Sequence, residues 1–463
     1  MSYLDNLSRL EKADKDFIWH PFTQMKDWLL EKPVIIAEAQ GVFLKDLYGR
    51  WFLDGVSSLW VNLHGHRKKE VDDAVSGQLI KVSHSTLLGL SNIPSIKLAE
   101  KIIGITDRAF PGLHPRLAKV FYSDDGSTAV EVALKMAFQY WLHRNRPEKQ
   151  TFLSLTHSYH GDTIGSVSLG GIDLFHEVFR PLLFRTLKAP APYCYRCVVG
   201  EAYPECSMAC LGDMGDTLEA HASEIAAVII EPLVQAAGGI IVHPPGYVSG
   251  VRELCNRYGV LMIADEVATG FGRTGEIFAC VHESVVPDIL CLSKGITNGY
   301  MPLAVTLATE EIFNAFLGEF KDRKTFFHGH SYTGNPLACS AALASLDLFE
   351  TEGTISAVQA KASTMKRELE KIAALAHVGE VRCRGLVAGI ELVKDKPSKE
   401  PYPWEDKIGW IVAYKAREKG VILRPLGNVI VLMPPLSITE QHLCQLLDIT
   451  KTCIIAVTGD QRQ

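Results

Sequence analysis

Six short, largely apolar runs limit what this chain can fold into. They occupy residues 118–122, 152–155, 226–230, 260–264, 289–292 and 303–307, and helical patterns separate them. None alternates cleanly between apolar and polar residues, as a strand with one wet face would. Runs of this kind read as strands buried on both faces of a mainly parallel sheet. Strands alternating with helices then predict a doubly wound α/β domain. Its site belongs at the carboxyl ends of the strands, where such sheets bind ligands. The segments directly after these runs therefore matter most: 123–128, 156–163, Glu231-Pro232, Asp265-Glu266 and Ser293-Lys294-Gly295.

Composition narrows the function. The chain has 463 residues, 47% hydrophobic and 22% charged, with a formal charge of −6. That is the mix of a folded soluble protein, and a disordered chain would be far less apolar. No basic excess draws nucleic acid or an anionic membrane surface. Eleven cysteines, an odd number over a long chain, argue against a secreted disulfide framework. The N-terminus is charged from Asp5 onward and lacks an apolar signal core. The uncharged stretch 232–251 carries three prolines and four glycines, so it predicts no spanning helix. A cytoplasmic protein follows, with small-molecule partners and neither nucleic acid nor membrane among them.

The chain's middle, residues 76–335, reads as the large domain. Residues 1–75 and 336–463, the latter with a long helical pattern over 336–350 and a short strand near 429–433, are expected to combine into a small α+β domain on the sheet's active edge.

Several residues carry chemistry. Gly126-Ser127 opens a helix directly after a strand, where free amides and the positive helix end favour a phosphate; Ser127 also reads simply as an N-cap. Asp265 ends an apolar strand, where a carboxylate needs a cationic partner. That partner is either Arg273, with nearby amides, or the protonated nitrogen of a heteroaromatic ring. Lys294 follows another apolar strand, and burial there would lower its pKa and make it a Schiff-base nucleophile. Tyr159, in a polar His-Ser-Tyr-His-Gly-Asp setting, is either a core aromatic or a ring that stacks on a flat cofactor. A lysine, a strand-end acid, a phosphate cup and an aromatic ring make the set that binds pyridoxal 5′-phosphate, PLP.

With these motifs in view, the sequence resembles the class III aminotransferases, PLP enzymes of fold type I. The resemblance spans nearly the whole chain. It rests on Asp265-Glu266-Val267, Gly270-Phe271-Gly272-Arg273-Thr274-Gly275 and Ser293-Lys294-Gly295. Within the class it resembles the biotin-pathway branch, through Trp19-His20-Pro21-Phe22-Thr23, Asp54-Gly55 with Ser57-Ser58, Tyr159-His160-Gly161-Asp162-Thr163, His328-Gly329, Gly334-Asn335-Pro336-Leu337 and Arg424-Pro425-Leu426-Gly427. It implies that Lys294 holds PLP covalently and moves the substrate proton, while Asp265 pairs with the ring nitrogen. Gly126 and Ser127 would bind the phosphate, Tyr159 would stack on the ring, and Val267 would close its other face. Gly329, His330 and Ser331 would enter from a partner subunit, which implies a homodimer with a shared site. Arg424 would receive the carboxylate of 8-amino-7-oxononanoate, and Phe22, Leu59 and Trp60 would line the substrate channel.

Departures from the pattern bear on substrate. Phe22 stands where a Tyr is common, Leu59-Trp60 where two aromatics are common, and His330-Ser331 where Pro-Thr is common. The usual donor in the family is S-adenosylmethionine, but segments 22–25, 64–66 and 330–335 resemble a branch that uses lysine, so the resemblance implies lysine as the donor, with S-adenosylmethionine the alternative. Another ω-amino acid or diamine transaminase is the alternative enzyme, and a non-catalytic scaffold the alternative class. One loop stands apart. Cys194, Cys197, Cys206 and Cys210, spaced CxxC and CxxxC, suit a zinc or iron–sulfur site or else remain reduced thiols or a local redox clip.

Overall fold

The computed structural model describes residues 3–459. A seven-stranded sheet forms the centre, in the order Leu117–Ser123, Ala304–Thr309, Ile289–Leu292, Leu261–Asp265, Ile225–Ile230, Thr151–Leu155, Leu187–Ala189. All six apolar runs are strands of this one sheet. The seventh, Leu187–Ala189, is only three residues long and too short to show as a run. Pairing is parallel from Leu187–Ala189 through Ile289–Leu292. Ala304–Thr309 alone is reversed, antiparallel to both neighbours.

Every residue of Ile225–Ile230, Leu261–Asp265 and Ile289–Leu292 is buried, as a sheet covered on both faces requires. Alternate side chains serve opposite layers. Leu261 and Ile263 pack with Ala129, Ala133 and Ala137 of the helix Gly126–His143. Met262 and Ala264 join the main core on the other face with Val251 and Cys255. The small residues on one side of Gly126–His143 let that helix lie close to the sheet.

Two smaller sheets flank the central one, and the first joins the two chain ends. Ile36–Gln40, Phe43–Asp46 and Trp51–Asp54 form a meander completed by Val421–Ile422, which pairs parallel with Trp51–Asp54. Arg424–Leu426 follows two residues later in a second, antiparallel sheet with Val429–Leu432, Val387–Asp395 and Val378–Arg384. Arg424 thus stands where the two peripheral sheets meet. The helix expected over 336–350 is Pro336–Thr351, N-capped by Asn335. Among the described residues no helix is long and apolar enough to cross a membrane.

Candidate active site

A cleft of about 1940 Å³ opens at the carboxyl ends of the strands. It brings together Phe22, Leu59, Trp60, Gly126, Ser127, Tyr159, Asp265, Val267, Lys294 and Arg424. Residues from the start, middle and end of the chain thus share one wall, as a site at the sheet edge predicts.

Asp265 ends its strand with its side chain buried. The partner is not Arg273. Asp265 Oδ2 accepts from His160 Nδ1 at 2.7 Å, and Oδ1 accepts from the Val267 amide at 3.1 Å. His160 is itself buried, and its Nε2 has no hydrogen-bond partner among the described residues. Arg273, 1% exposed, instead donates to the carbonyls of Trp60, Asn62 and Pro434. Burial pushes its pKa down to about 9.

Lys294 follows the strand Ile289–Leu292 in a tight turn, with φ of 44°. Its ammonium has no hydrogen-bonding partner among the described residues and sits 5.1 Å from the centroid of the Trp60 ring. Burial holds its pKa below the ordinary lysine value; Asp265 and Glu231 pull it back up, and Arg273 adds to the fall. Glu231, marked in the sequence as a strand-end residue but given no role there, directly follows the strand Ile225–Ile230. Its carboxylate accepts from the amides of Tyr159 at 3.0 Å and Ala236 at 2.9 Å. Burial, with Asp265 close by, pushes its pKa up to about 7 against the pull of His160. The strand-end rule that exposed Asp265 also marked Glu231, while His160 stood inside a quoted motif with no role attached.

Asp125, rather than Ser127, is the N-cap of Gly126–His143: its side chain accepts from the Thr128 amide at 2.9 Å, and Thr128 completes a capping box. The first amides of a helix lack intrahelical partners, so Gly126 and Ser127 keep theirs for a ligand. A Cβ on Gly126 would stand 2.5 Å from Val267 Cγ1, so only glycine lets Val267 approach this end of the helix. Ser127 Oγ accepts from the Thr163 amide at 2.9 Å, which fixes the serine against the loop that carries Tyr159. The Tyr159 ring lies parallel to His176, 6.3 Å between centroids, and its hydroxyl donates to Asp162 at 2.7 Å.

Arg424 is half-buried, with its guanidinium 5.7 Å from the centroid of Trp410. Among the described residues it has no carboxylate partner, and burial lowers its pKa. Phe22 and Leu59 are about half exposed at 53% and 50% and face the cleft. Gly329, His330 and Ser331 lie outside it, on a loop where His330 Nδ1 is 3.6 Å from Asp124 Oδ2. In the 194–210 loop burial raises the pKa of Cys194 and of Cys210, and the neighbouring cysteines add to both rises. Among the described residues no group of three or more His, Cys, Asp or Glu is disposed to hold a metal ion.

The residues of the cleft fit PLP. A partly buried amine without a hydrogen-bond partner among the described residues, a buried carboxylate braced by histidine, and a glycine-opened helix end match the cofactor's aldehyde, ring nitrogen and phosphate.

Comparison with known proteins agrees. The model of the family described as aminotransferase class III matches residues 25–454. Adenosylmethionine-8-amino-7-oxononanoate aminotransferase of Geobacter sulfurreducens is 54% identical over 451 residues, covering 97% of this chain and 98% of that protein. The Aquifex aeolicus protein of the same name is 52% identical, covering 96% and 97%. The crystal structure of the Methanocaldococcus jannaschii protein of that name matches with a TM-score of 0.92 at 49% identity, over 98% of this chain and 99% of that one. An amine transaminase from an uncultivated Pseudomonas species, solved with PLP bound, gives a TM-score of 0.90 at 36% identity, covering 96% and 99%. The chain belongs to the class III aminotransferase family.

Proposed function

We propose that this PLP-dependent aminotransferase converts 8-amino-7-oxononanoate to 7,8-diaminononanoate in biotin synthesis, in the cytoplasm and as a homodimer. The observation that carries the substrate is Arg424. A half-buried guanidinium 5.7 Å from the centroid of Trp410, with no carboxylate partner among the described residues, stands in the same cleft as Lys294. Arginine suits a substrate carboxylate because it stays charged and binds bidentately. Residues 76–335 are read as the cofactor-binding unit, and 1–75 with 336–463 as the unit that completes the cleft.

When bound, PLP supplies an electron sink for the charge left at the carbon that loses its proton. The chain's own groups do the rest. Lys294 binds the cofactor, and its amine, once released, takes the proton from the substrate carbon. Burial favours its neutral form, as a proton acceptor needs. Asp265 offers a carboxylate to the ring nitrogen, and His160 with the Val267 amide keeps it oriented. Gly126 and Ser127 present amides to the phosphate. Val267 and Tyr159 close the cleft on either side of the ring, and Arg424 orients the chain of the acceptor.

The donor is read as S-adenosylmethionine, the molecule in the names of the relatives. Lysine is the second reading, because Thr23 and Gln24 of the segment 22–25 line the cleft. Gly329, His330 and Ser331, placed outside their own cleft, are read as contributions to the partner's site. Exposed Ile80, Leu88, Leu90, Ile93, Phe327 and Tyr332 supply apolar surface for that contact.

The test is product formation by mass spectrometry from 8-amino-7-oxononanoate with each donor in turn. Diaminononanoate from either donor, absent with Lys294→Ala, supports the reading. Turnover of short keto acids in preference to this substrate would replace it with an ω-transaminase.

A further inference from the structure

Ser57, Ser58, Leu59 and Trp60 all have positive φ, between 50° and 72°, although none is glycine. They form one left-handed turn, a conformation L-residues avoid because Cβ crowds the following carbonyl oxygen. Such a turn persists only where its surroundings over-determine it, and strain of this kind gathers at functional sites. The anchors are visible. Asp54, fully buried, accepts from the Val56 amide at 3.1 Å and the Ser58 hydroxyl at 2.8 Å. The Ser57 hydroxyl donates to the Met433 carbonyl. At the far end Arg273 donates to Trp60 O at 3.2 Å, Asn62 O at 3.0 Å and Pro434 O at 2.6 Å.

The strained turn delivers two things to the cleft: the half-exposed Leu59, and the buried Trp60 ring against the Lys294 ammonium. A cation over an indole face is held electrostatically, so the ring's position bears on the charged state of Lys294. Arg273 touches neither Lys294 nor the carboxylate of Asp265. Its hydrogen bonds go to backbone carbonyls, two of them on the segment that carries the ring.

We propose that Arg273 is a positioning residue that acts on Lys294 through Trp60, clamping the left-handed turn so that the indole face stays beneath the reactive nitrogen. The inference rests on Lys294 being the cofactor-bearing lysine. Lys294 is also faced by Asp265 and Glu231, which favour its cationic form, and by the Arg273 charge, which opposes it. A test must therefore separate that charge from the clamp. Arg273→Lys loses the fork that spans three carbonyls; a lysine buried there also gives up its proton more readily than arginine, but loss of that charge would raise the midpoint whereas loss of the clamp lowers it, so the sign of the shift separates the two.

The readout is the pH midpoint of the visible absorption of the PLP-loaded protein, with kcat/KM alongside. Arg273→Lys and Trp60→Leu should each lower the midpoint by about half a pH unit, the size of one cation–π contact. Each should lower kcat/KM about tenfold through misplacement of the reacting groups. Because one residue acts through the other, the double variant should go no further than either single one. An unmoved midpoint in Arg273→Lys, or shifts that add in the double variant, would overturn the proposal. Should Arg273→Lys fail to fold, Ser57→Ala loosens the same turn from its other end; a downward shift supports the clamp and an unmoved midpoint overturns it. Failure of the underlying assignment looks different: Lys294→Ala would then keep the visible band.

Discussion

His160 Nδ1 lies 2.7 Å from Asp265 Oδ2, and both side chains are buried beneath the cleft. The carboxylate proposed to face the cofactor's ring nitrogen is thus held from behind by an imidazole, not by an arginine. A fully charged partner there would compete with the ring nitrogen for the carboxylate, whereas a histidine donor orients it. Replacing His160 with Phe removes the donor and leaves a buried carboxylate short of one bond. A hydrogen bond to a charged group contributes about 1.5–3 kcal/mol, so kcat should fall roughly 10- to 100-fold with little change in KM. Steady-state kinetics of His160→Phe and His160→Asn check this, with Asn recovering part of the loss.

Gly126 and Val267 are packed so closely that a single methyl group separates function from collision. In Gly126→Ala the new Cβ would stand 2.5 Å from Val267 Cγ1 and 3.0 Å from Cγ2. The short, branched valine cannot swing away, so the helix end or the valine must shift. Overpacking of this kind costs about 1–3 kcal/mol. The PLP-to-protein ratio after dialysis should drop in Gly126→Ala and recover in Gly126→Ala/Val267→Ala, which removes the colliding methyl groups.

Arg424 stands by the Trp410 ring with no carboxylate partner among the described residues, which leaves its charge open to the substrate proposed for it. Arg424→Ala should raise KM for 8-amino-7-oxononanoate about 10- to 100-fold, the value of a charge-assisted hydrogen bond. KM for the amino donor should barely move. Arg424→Lys should fall between, since a point charge cannot bind a carboxylate bidentately. The methyl ester of the substrate supplies the control: wild-type protein should discriminate against it, and Arg424→Ala should not.

Much of this site is legible without coordinates because strand ends are conspicuous. Asp265, Lys294 and Gly126 each follow an apolar run, and a polar residue at such a place has few structural excuses. The reversed direction of Ala304–Thr309 leaves no trace, since a buried strand reads the same either way. Partnerships are harder still. Nothing in the spacing of His160 and Asp265, 105 residues apart, distinguishes that pair from Asp265 and Arg273. The left-handed turn at Ser57–Trp60 carries no glycine to announce it, because tertiary anchors hold it and not local propensity. The paired spacing of Cys194, Cys197, Cys206 and Cys210 suggested a metal, yet the loop's fixed contacts come from other side chains, Tyr193 and Arg196 on Glu391.

That contact makes its own prediction. Glu391, 5% exposed, receives Arg196 at 2.6 Å and Arg382 at 2.6 Å, together with the Tyr193 hydroxyl. These charges hold its pKa below the ordinary carboxylate value despite burial. Removing the central acid leaves the buried Arg382 guanidinium with Glu380 as its one carboxylate partner among the described residues. Loss of one partner in a buried ion pair costs about 3–5 kcal/mol. Chemical denaturation of Glu391→Ala should show a loss in that range, and limited proteolysis should cut first within 194–210, the loop this acid tethers.

Glu231 sets a pH dependence whose sign follows from its burial. Its folded pKa is about 7 against an ordinary 4.5. Between those values the folded protein holds a proton that the unfolded chain has released. Folding is therefore favoured by this group at low pH, and the contribution is lost as pH rises from about 4.5 through 7. A shift of this size corresponds to about 3 kcal/mol. Glu266, also buried and pushed up to about 7, adds a second contribution of the same sign in the same window. Glu231→Gln removes the first of these, while buried groups pushed the other way, such as His64 at about 4 and His243 at about 3, titrate alike in both proteins. Urea denaturation at pH 5, 6 and 7 should therefore show the stability of wild-type protein relative to the variant falling by about 2–3 kcal/mol across the range. Parallel curves for the two proteins would mean that Glu231 stays ionised in the fold, its charge carried by the Tyr159 and Ala236 amides.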